Sequence, residues 1–599
     1  MDKENKKTKG LRSKATAAYE REPAYDKIIE ARDVMVPMRD GVRLCVDIFR
    51  PDAPGKLPVL LAIAFHNKDL QTPELADFLP PQPAWSPLWY GIIEAGDSKY
   101  LVSRGYVHVI GNPRGVGKSE DGGSDKWDFY DLIEWIAQQP WCDGNVGMLG
   151  ISAFAGAQFR AAVQQPPHLR AIFPYDACAA YGDLFAIRDA HPGGVLQTMA
   201  YLLEHFSVIH GGHRRPGPLS PEIERLWKEA MANPDYKIYT HLYNVLTMRG
   251  ELAPLAFQTL LNPYDTEEIV KETEENFKKI KVPVYTGSGW YAYTYKMHLQ
   301  GAQNWYYGIN CPKKLLFTGP AHLERPFHTL HDEILKWYDY WLKGINTGVM
   351  DEPRVKFWVM GANQWRYADD WPLPETQWTK YYLHSWERLR TEPFLPSSRD
   401  AYQEPDAFVQ MPLTHTTTVQ RLRYMTDPLA DDTLVAGPIV LYLYAAIDQD
   451  DTNWIVILKD VGPDVSVRTA REGETSVPAN LPERELTRGW LKASHRALDA
   501  SRSKPWKPWH PLTREAQKPV VPGEINEYAI EILSTANLFR KGHRICLDVT
   551  CLDVPAGTAG LTTVEYIPFH VCSSKTVLHK IYHNEKYPSH LVLPVIPRS

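Results

Sequence analysis

The sequence predicts an α/β domain with a mainly parallel sheet and a helical insertion, followed by a β domain built as a sandwich or jelly roll. Two observations carry this prediction. Apolar runs typical of buried strands alternate with amphipathic helical stretches between residues 31 and 173, and strands return from about residue 282. Beyond about residue 350, short alternating strands are separated by frequent turns.

The composition is that of an ordinary globular chain. Its 599 residues are 44% hydrophobic and 23% charged, which argues against disorder and coiled coil. The charge of 66 − 72 = −6 does not favour nucleic acid or an anionic membrane as the partner. Seven scattered cysteines form no CxxC pair, so neither a zinc site nor a disulfide framework is expected.

The charged N-terminus, MDKENKKTKG, lacks the apolar core of a secretory signal. Pro58–Phe65 is strongly apolar but much shorter than the roughly 20 residues needed to span a bilayer. We therefore expect a cytoplasmic chain without a membrane partner.

The first α/β segment extends over residues 26–182, after a polar N-terminal segment, 1–25. An Asp40-Gly41 turn between alternating runs predicts a hairpin. The remaining elements alternate as expected for a parallel sheet. The predicted strands are Pro58–Phe65, Tyr106–Ile110, Asn145–Leu149 and Leu169–Phe173, and the predicted helices are Tyr130–Gln138 and Phe154–Gln164.

Residues 183–280 change character, because helical patterns rich in His, Trp and Tyr replace the strands; we interpret them as a cap over the sheet. Strands return over 281–350, with Lys313–Thr318 followed by the helix His331–Lys343. The alternating β pattern then predicts a jelly roll over 351–599.

The segment Gly147–Gly156 places one serine, Ser152, among small residues between a strand and a helix. A sharp strand-to-helix turn needs small neighbours and presents the serine hydroxyl above the sheet, as in a nucleophile elbow. The strict G-x-S-x-G pattern is not met, because Phe154 replaces the second glycine. A nucleophile and a structural turn therefore both remain open on this segment alone.

A serine nucleophile needs a base, and the chain order Ser, acid, His is that of α/β-hydrolases. His322 follows the predicted strand Lys313–Thr318, where the last histidine of that order is expected. His328 and His331 are its nearest rivals.

Several segments together resemble the cocaine esterase and X-Pro dipeptidyl-peptidase superfamily, the CocE/NonD-type hydrolases. The resemblance extends from about residue 30 to the C-terminus. It implies an α/β-hydrolase domain with an inserted helical cap, a C-terminal jelly roll, and ester or amide hydrolysis through an acyl-enzyme without a cofactor. The segments are VPMRDGVRLCVDIFRPD, NPRGVGKSEDG, WIAQQPWCDGNVGMLGIS, WYDYWLKGINTGVMDEPRVKFWVMG, GWLKASHRALD and VPGEINEYAIEI.

The resemblance assigns the nucleophile to Ser152 and one oxyanion donor to the N–H of the next residue, Ala153, which is usually tyrosine. The second donor is usually a tyrosine after the strand Pro58–Phe65, where this chain has His66. An imidazole titrates near neutral pH, so His66 predicts a pH dependence that tyrosine would not cause.

The family acid is missing, because its Gly-Trp-Tyr-Asp segment ends here in Ala292. Three interpretations remain. Asp176, after the strand Leu169–Phe173, is favoured as the acid; Glu324, near His322, is the alternative; and a Ser–His dyad needs neither.

The predicted function is a serine hydrolase acting on a small ester or amide. Trp290 and Tyr291 are candidates for lining the substrate pocket, with core packing as the alternative. A hydrolase fold that only binds a ligand, or an acyltransferase, are the competing hypotheses. Members of the resembled family often self-associate, so a homo-oligomer stays open, but the sequence does not determine the oligomeric state.

Overall fold

The computed structural model describes residues 19–69, 94–177, 187–197, 219–249, 257, 260–290, 297–319, 326–394, 405–416, 418–463, 483–552 and 570–598. Two sheets organise these residues. The first sheet contains β1 (Ile28–Pro37), β2 (Arg43–Pro51), β3 (Leu57–Ile63), β4 (Val107–Gly111), β5 (Cys142–Ile151), β6 (Leu169–Tyr175), β7 (Val284–Gly289), β8 (Lys313–Thr318), β9 (Val355–Val359) and β10 (Gln364–Ala368).

Within the described ranges, helices occupy both the sheet domain and the predicted cap. The helices are α1 (Ser98–Ser103), α2 (Asp128–Ala137), α3 (Ala153–Gln164), α4 (Ile187–Ala190), α5 (Pro221–Ala232), α6 (Pro234–Lys237), α7 (Thr240–Thr247), α8 (Glu267–Lys279), α9 (Met297–Gly308) and α10 (Pro326–Lys343). Short 3₁₀ turns lie at Asp125–Trp127, Pro192–Gly194 and Ala493–His495.

The first sheet has the strand order β1-β2-β4-β3-β5-β6-β7-β8-β9-β10. The strands from β4 to β9 pair in parallel, whereas β1, β2 and β10 pair antiparallel at the edges. Parallel strands are covered on both faces, which explains the continuous apolar runs of the central strands. The predicted α/β architecture is confirmed.

Pairing of β8 with β9 extends this sheet past the predicted domain boundary. Leu315 pairs with Val355 and Phe317 with Phe357, both in parallel register. The segment VKFWV was assigned to the β domain because its residues alternate between apolar and polar. Alternation identifies a half-buried strand but not the sheet to which the strand belongs.

The second sheet is built from the later strands. They are β11 (Gln377–His384), β12 (Arg388–Arg390), β13 (Asp406–Gln410), β14 (Arg421–Met425), β15 (Thr433–Ile447), β16 (Asn453–Val461), β17 (Glu483–Lys492), β18 (Asn526–Phe539), β19 (Arg544–Thr550), β20 (Val577–Tyr582) and β21 (His590–Ile596).

This second sheet closes on itself, because β21 pairs with β11 on one side and with β15 on the other. The β-rich C-terminal domain is confirmed, but the predicted jelly roll is not. A jelly roll and a closed sheet share the same alternation of apolar and polar residues along each strand, so the sequence pattern does not distinguish them.

The two sheets share hydrophobic core and direct hydrogen bonds. Met360 N–H donates to the Ala536 carbonyl at 2.9 Å, and Leu538 N–H donates to the Met360 carbonyl at 2.8 Å. The buried Ser534 hydroxyl donates to Gln303 Oε1 on α9 at 2.6 Å. The closed sheet therefore packs directly against the helix that follows β7.

Helices long and apolar enough to cross a bilayer are absent from the described residues.

Candidate active site

The carboxyl ends of the central parallel strands meet at one edge of the first sheet. Ser152 follows β5 and Asp176 follows β6, and the two strands pair in register at their last residues, Ile151 with Tyr175. His66 lies just beyond β3, on the other side of β5. In open α/β sheets, ligands bind outside these carboxyl ends. The topology therefore gathers three of the predicted site residues.

Ser152 occupies a strained turn between β5 and α3. Its backbone has φ 56° and ψ −112°, a conformation that costs a side-chain-bearing residue about 1–3 kcal/mol. Gly150 has φ 138°, and a Cβ there would lie 2.3 Å from the Cβ of Phe154. The turn thus requires glycine two residues before the serine. Strain of this kind holds a nucleophile elbow in place.

Neighbouring backbone fixes the turn from both sides. The Ser152 N–H donates to the Tyr175 carbonyl at 3.1 Å, and the Ile151 N–H donates to the Glu94 carbonyl at 3.0 Å. Since hydrogen bonds on both sides hold its backbone, Ser152 has a fixed position at the strand ends.

The Ser152 hydroxyl lies against a histidine that sequence analysis did not single out. Its Oγ is 3.0 Å from Nε2 of His298, the second residue of α9, whose side chain is buried. This is the distance at which a nucleophile and its base share a hydrogen bond. Chain order predicts a histidine after the last strand of the sheet, which is His322. His298 instead lies on the helix after β7, well beyond the end of that strand, where chain order does not select it.

Three residues named in the sequence analysis, Tyr291, His322 and Glu324, lie outside the described residues. Their predicted roles stay predictions.

Asp176 is fully buried next to the end of β7. Its backbone has φ 53°, its N–H donates to the Gly287 carbonyl at 2.8 Å, and its Oδ1 accepts from Gly289 N–H at 3.3 Å. The preceding residue, Tyr175, shares a 2.6 Å hydrogen bond between its hydroxyl and Thr318 Oγ1 at the end of β8. Asp176 therefore lies where the ends of β6, β7 and β8 converge.

Ala153 is the first residue of α3, directly after Ser152. The first N–H groups of a helix have no acceptor within the helix, and they carry the positive end of its dipole. The Ala153 N–H therefore has the chemistry of an oxyanion donor whatever its side chain.

Asn112, a fully buried side chain after β4, holds the loop that carries His66. Its Nδ2 donates to the carbonyls of His66 at 2.6 Å and Ala64 at 3.1 Å, and its Oδ1 accepts from Lys68 N–H at 3.0 Å. The backbone around His66 is therefore tied to the sheet.

Lys68 anchors the same loop by its side chain. The buried ammonium lies 2.9 Å from both Asp33 and Asp47 and 2.8 Å from Asp69. Burial alone lowers the pKa of an ammonium, but these three carboxylates outweigh burial and raise the pKa of Lys68. The cation stays charged and bound to its acidic partners.

Trp290 is fully buried and stacks on Phe317 with ring centroids 4.4 Å apart. Its indole N–H donates to the Trp358 carbonyl at 2.7 Å. Packing in the core therefore explains the position of Trp290, which favours packing over the substrate contact suggested by the sequence.

Two family models match the chain. The model described as X-Pro dipeptidyl-peptidase (S15 family) matches residues 40–324. The model described as X-Pro dipeptidyl-peptidase C-terminal non-catalytic domain matches residues 347–592. The first match covers the α/β region with its insertion, and the second covers the closed sheet.

Individual proteins match over nearly the whole chain. The cocaine esterase of Rhodococcus sp. (strain MB1 Bresler) is 28% identical over 634 aligned residues, covering 95% of this chain and 99% of the relative. A CocE/NonD family hydrolase from Staphylococcus aureus superposes with a TM-score of 0.73 at 23% identity, covering 95% of this chain and 94% of its own.

An aminopeptidase from the marine sediment archaeon Thaumarchaeota archaeon superposes with a TM-score of 0.70 at 17% identity, covering 98% of this chain and all of its own. At this identity the structures share the fold. The two family models together match most of the chain, and the chain belongs to the cocaine esterase and X-Pro dipeptidyl-peptidase superfamily of serine hydrolases.

Proposed function

We propose that this protein hydrolyses carboxylic esters through an acyl-enzyme on Ser152. The observation that carries the proposal is the strained Ser152, whose Oγ lies 3.0 Å from a histidine nitrogen. Oγ attacks the substrate carbonyl carbon and its proton passes to the histidine, which returns the proton to the leaving oxygen. Water then attacks the acyl-enzyme by the same route and releases the acid.

His298 is the proposed general base, since a base must lie within hydrogen-bond reach of the proton that it removes. His322, predicted from the chain order, is the second candidate. Replacing each histidine in turn with alanine and measuring kcat separates the two candidates, because only the true base is needed for the chemical step.

The Ala153 N–H and the His66 side chain are the proposed oxyanion donors. The N–H is supported by its place at the start of α3. His66 is supported by the Asn112 hydrogen bonds, which hold its backbone at the strand ends beside the elbow. Fixed donors of this kind stabilise the tetrahedral oxyanion without reorganising.

Asp176 is the proposed acid, and its replacement tests this role. We expect Asp176→Asn to lower kcat by about 10⁴-fold while leaving a measurable rate, because the imidazole loses the charge that stabilises its protonated form. Rates of p-nitrophenyl acetate hydrolysis measure the loss.

Glu324→Gln is the matched variant for Asp176→Asn. A large loss in Glu324→Gln with little loss in Asp176→Asn would transfer the role to Glu324. Near wild-type rates in both variants would indicate a Ser–His dyad.

The proposed substrate is a compact ester with an apolar or aromatic acyl group, and an amide is the alternative. The ester is preferred because the relative that matches 95% of the chain is named cocaine esterase. Tyr291 remains a candidate pocket residue. Trp290 is not included, because its side chain has no exposed surface.

Covalent labelling with a fluorophosphonate, followed by peptide mass spectrometry, tests the nucleophile. We expect the label on Ser152 and the same labelling in Ser288→Ala, a variant of a buried serine on β7. Label on another residue, or none between pH 6 and about pH 9, would overturn the proposal and favour a protein that only binds its ligand.

Acyl transfer to an added alcohol, in place of hydrolysis, would instead identify an acyltransferase. Product analysis by mass spectrometry distinguishes the ester product from the acid.

A further inference from the structure

A carboxylate and an imidazole meet in a nearly buried pair beside the Ser152 turn. Glu94 Oε2 lies 3.4 Å from His66 Nε2, and the two side chains are 7% and 13% exposed. A buried carboxylate that contacts a histidine has a large effect on the charge of the ring, because little water screens the interaction.

A backbone hydrogen bond of Glu94 and a ring contact of His66 place the pair beside the nucleophile. The Glu94 carbonyl accepts from the N–H of Ile151, the residue before Ser152. The His66 ring lies 6.4 Å, centroid to centroid, from the ring of Phe154, two residues after Ser152. Glu94 therefore lies beside the residue before Ser152, and His66 lies beside Phe154, which follows Ser152 by two residues.

The atoms facing each other constrain the protonation of His66. A carboxylate accepts hydrogen bonds, so Nε2 must carry a proton to face Glu94 favourably. In a neutral ring with its proton on Nε2, Nδ1 is an acceptor and would repel an oxyanion. Only the imidazolium, which has two N–H groups, donates to Glu94 and to an oxyanion at once.

We propose that Glu94 is a positioning residue that holds His66 as an imidazolium, so that a cationic donor stabilises the oxyanion at Ser152. The inference rests on the proposed hydrolysis and on His66 as the second oxyanion donor. A carboxylate at this distance favours the charged ring. A charged donor makes a hydrogen bond roughly twice as strong as a neutral one. The Glu94–His66 pair thus replaces the neutral tyrosine hydroxyl expected at this position.

The other titratable groups near the pair, among the residues that the structure describes, are neutral or bound to partners of their own. Burial lowers the pKa of His108 to about 3, so that ring stays neutral. Lys68, although close in sequence, is bound to its three carboxylates. Asp97 caps α1 through Tyr100 N–H at 2.9 Å and lies 4.0 Å from His331. His298 faces Ser152.

The pH profile of kcat/KM for p-nitrophenyl acetate tests the inference. The wild-type profile is expected to fall at alkaline pH as His66 loses its proton. Glu94→Gln keeps the shape of the side chain but removes its charge, so we expect the alkaline fall to begin about one pH unit lower. Glu94→Asp, which restores the charge, is expected to recover most of that shift. A purely structural role for Glu94 would lower the rate equally at every pH.

A second set of variants, built on His66→Tyr, tests whether the effect of Glu94 on the pH profile requires the His66 imidazole. His66→Tyr replaces the imidazole with a donor that stays protonated to about pH 10, so the alkaline fall in the wild-type range should disappear. Adding Glu94→Gln to His66→Tyr should then leave the shape of the profile unchanged. His66→Phe, which removes the donor, is expected to lower kcat by about 10²–10³-fold.

Two results would overturn the inference: a Glu94→Gln profile that superimposes on the wild type, or an equal shift in the His66→Tyr background. Thermal unfolding of each variant checks its fold, and Glu94→Ala, which also removes the charge, provides the test if Glu94→Gln does not fold. Fluorophosphonate labelling of the same proteins distinguishes a failure of this inference from a failure of the proposed function. A labelled, active wild type with an unshifted Glu94→Gln profile refutes only the role of Glu94. An unlabelled, inactive wild type refutes the proposed function and this inference with it.

Discussion

Replacing Ser152 with alanine is expected to lower kcat for ester hydrolysis on the order of 10⁶-fold. The change removes the only atom proposed to form the acyl-enzyme, while the oxyanion donors and the binding surface stay in place. The residual rate should then be that of water attacking a bound ester. Steady-state hydrolysis of p-nitrophenyl acetate measures the loss.

The stability of Ser152→Ala should stay close to that of the wild type or fall slightly, because alanine keeps the positive φ of the turn and loses the hydroxyl contact with His298. Ser288→Ala is the matched control and should keep the wild-type rate. Retention of more than about a tenth of the activity in Ser152→Ala would contradict the assigned nucleophile.

Removal of the base is the second large effect. We expect His298→Ala to lower kcat about as much as Ser152→Ala, since nucleophile and base act as one unit. For the same reason the double variant Ser152→Ala/His298→Ala should lose little more than either single variant. His322→Ala is expected to lose far less. The measurement is kcat for all four proteins, with thermal unfolding to confirm that each is folded.

The opposite result, in which His322→Ala loses more activity than His298→Ala, would be equally informative. If His322→Ala loses the activity and His298→Ala keeps it, the prediction from chain order holds, and the 3.0 Å contact of His298 is a resting arrangement of the serine. If both variants keep most of the activity, neither histidine is the base.

Much of the fold was predictable because its elements have strong local signatures. The strand Lys313–Thr318 has the bounds expected from its apolar run, and the helix α3 begins one residue before its predicted start at Phe154. Long apolar runs and amphipathic periods are set by burial, which the residue types report directly. Closure of the second sheet was not predictable, since it depends on the pairing of β21 with both β11 and β15.

The site was predictable where position along the chain determines position in space. Ser152 and Asp176 each follow a parallel strand, so the sheet brings them to one edge. His298 and Glu94 were missed for the opposite reason. Neither directly follows a predicted strand, and both reach the site through tertiary contacts that no local pattern encodes.

The pairing of β8 with β9 and the hydrogen bond from Ser534 to Gln303 make the two halves of this chain interdependent. The family-model boundary between residues 324 and 347 suggests two modules that could be exchanged or expressed separately. The molecule contradicts that modular view at the level of its backbone. Cutting there would expose Trp290 and Phe317, which share one core with the later strands, and would remove the support of the helix that carries His298. The domain called non-catalytic in the family description is thus a structural support of the helix that carries His298.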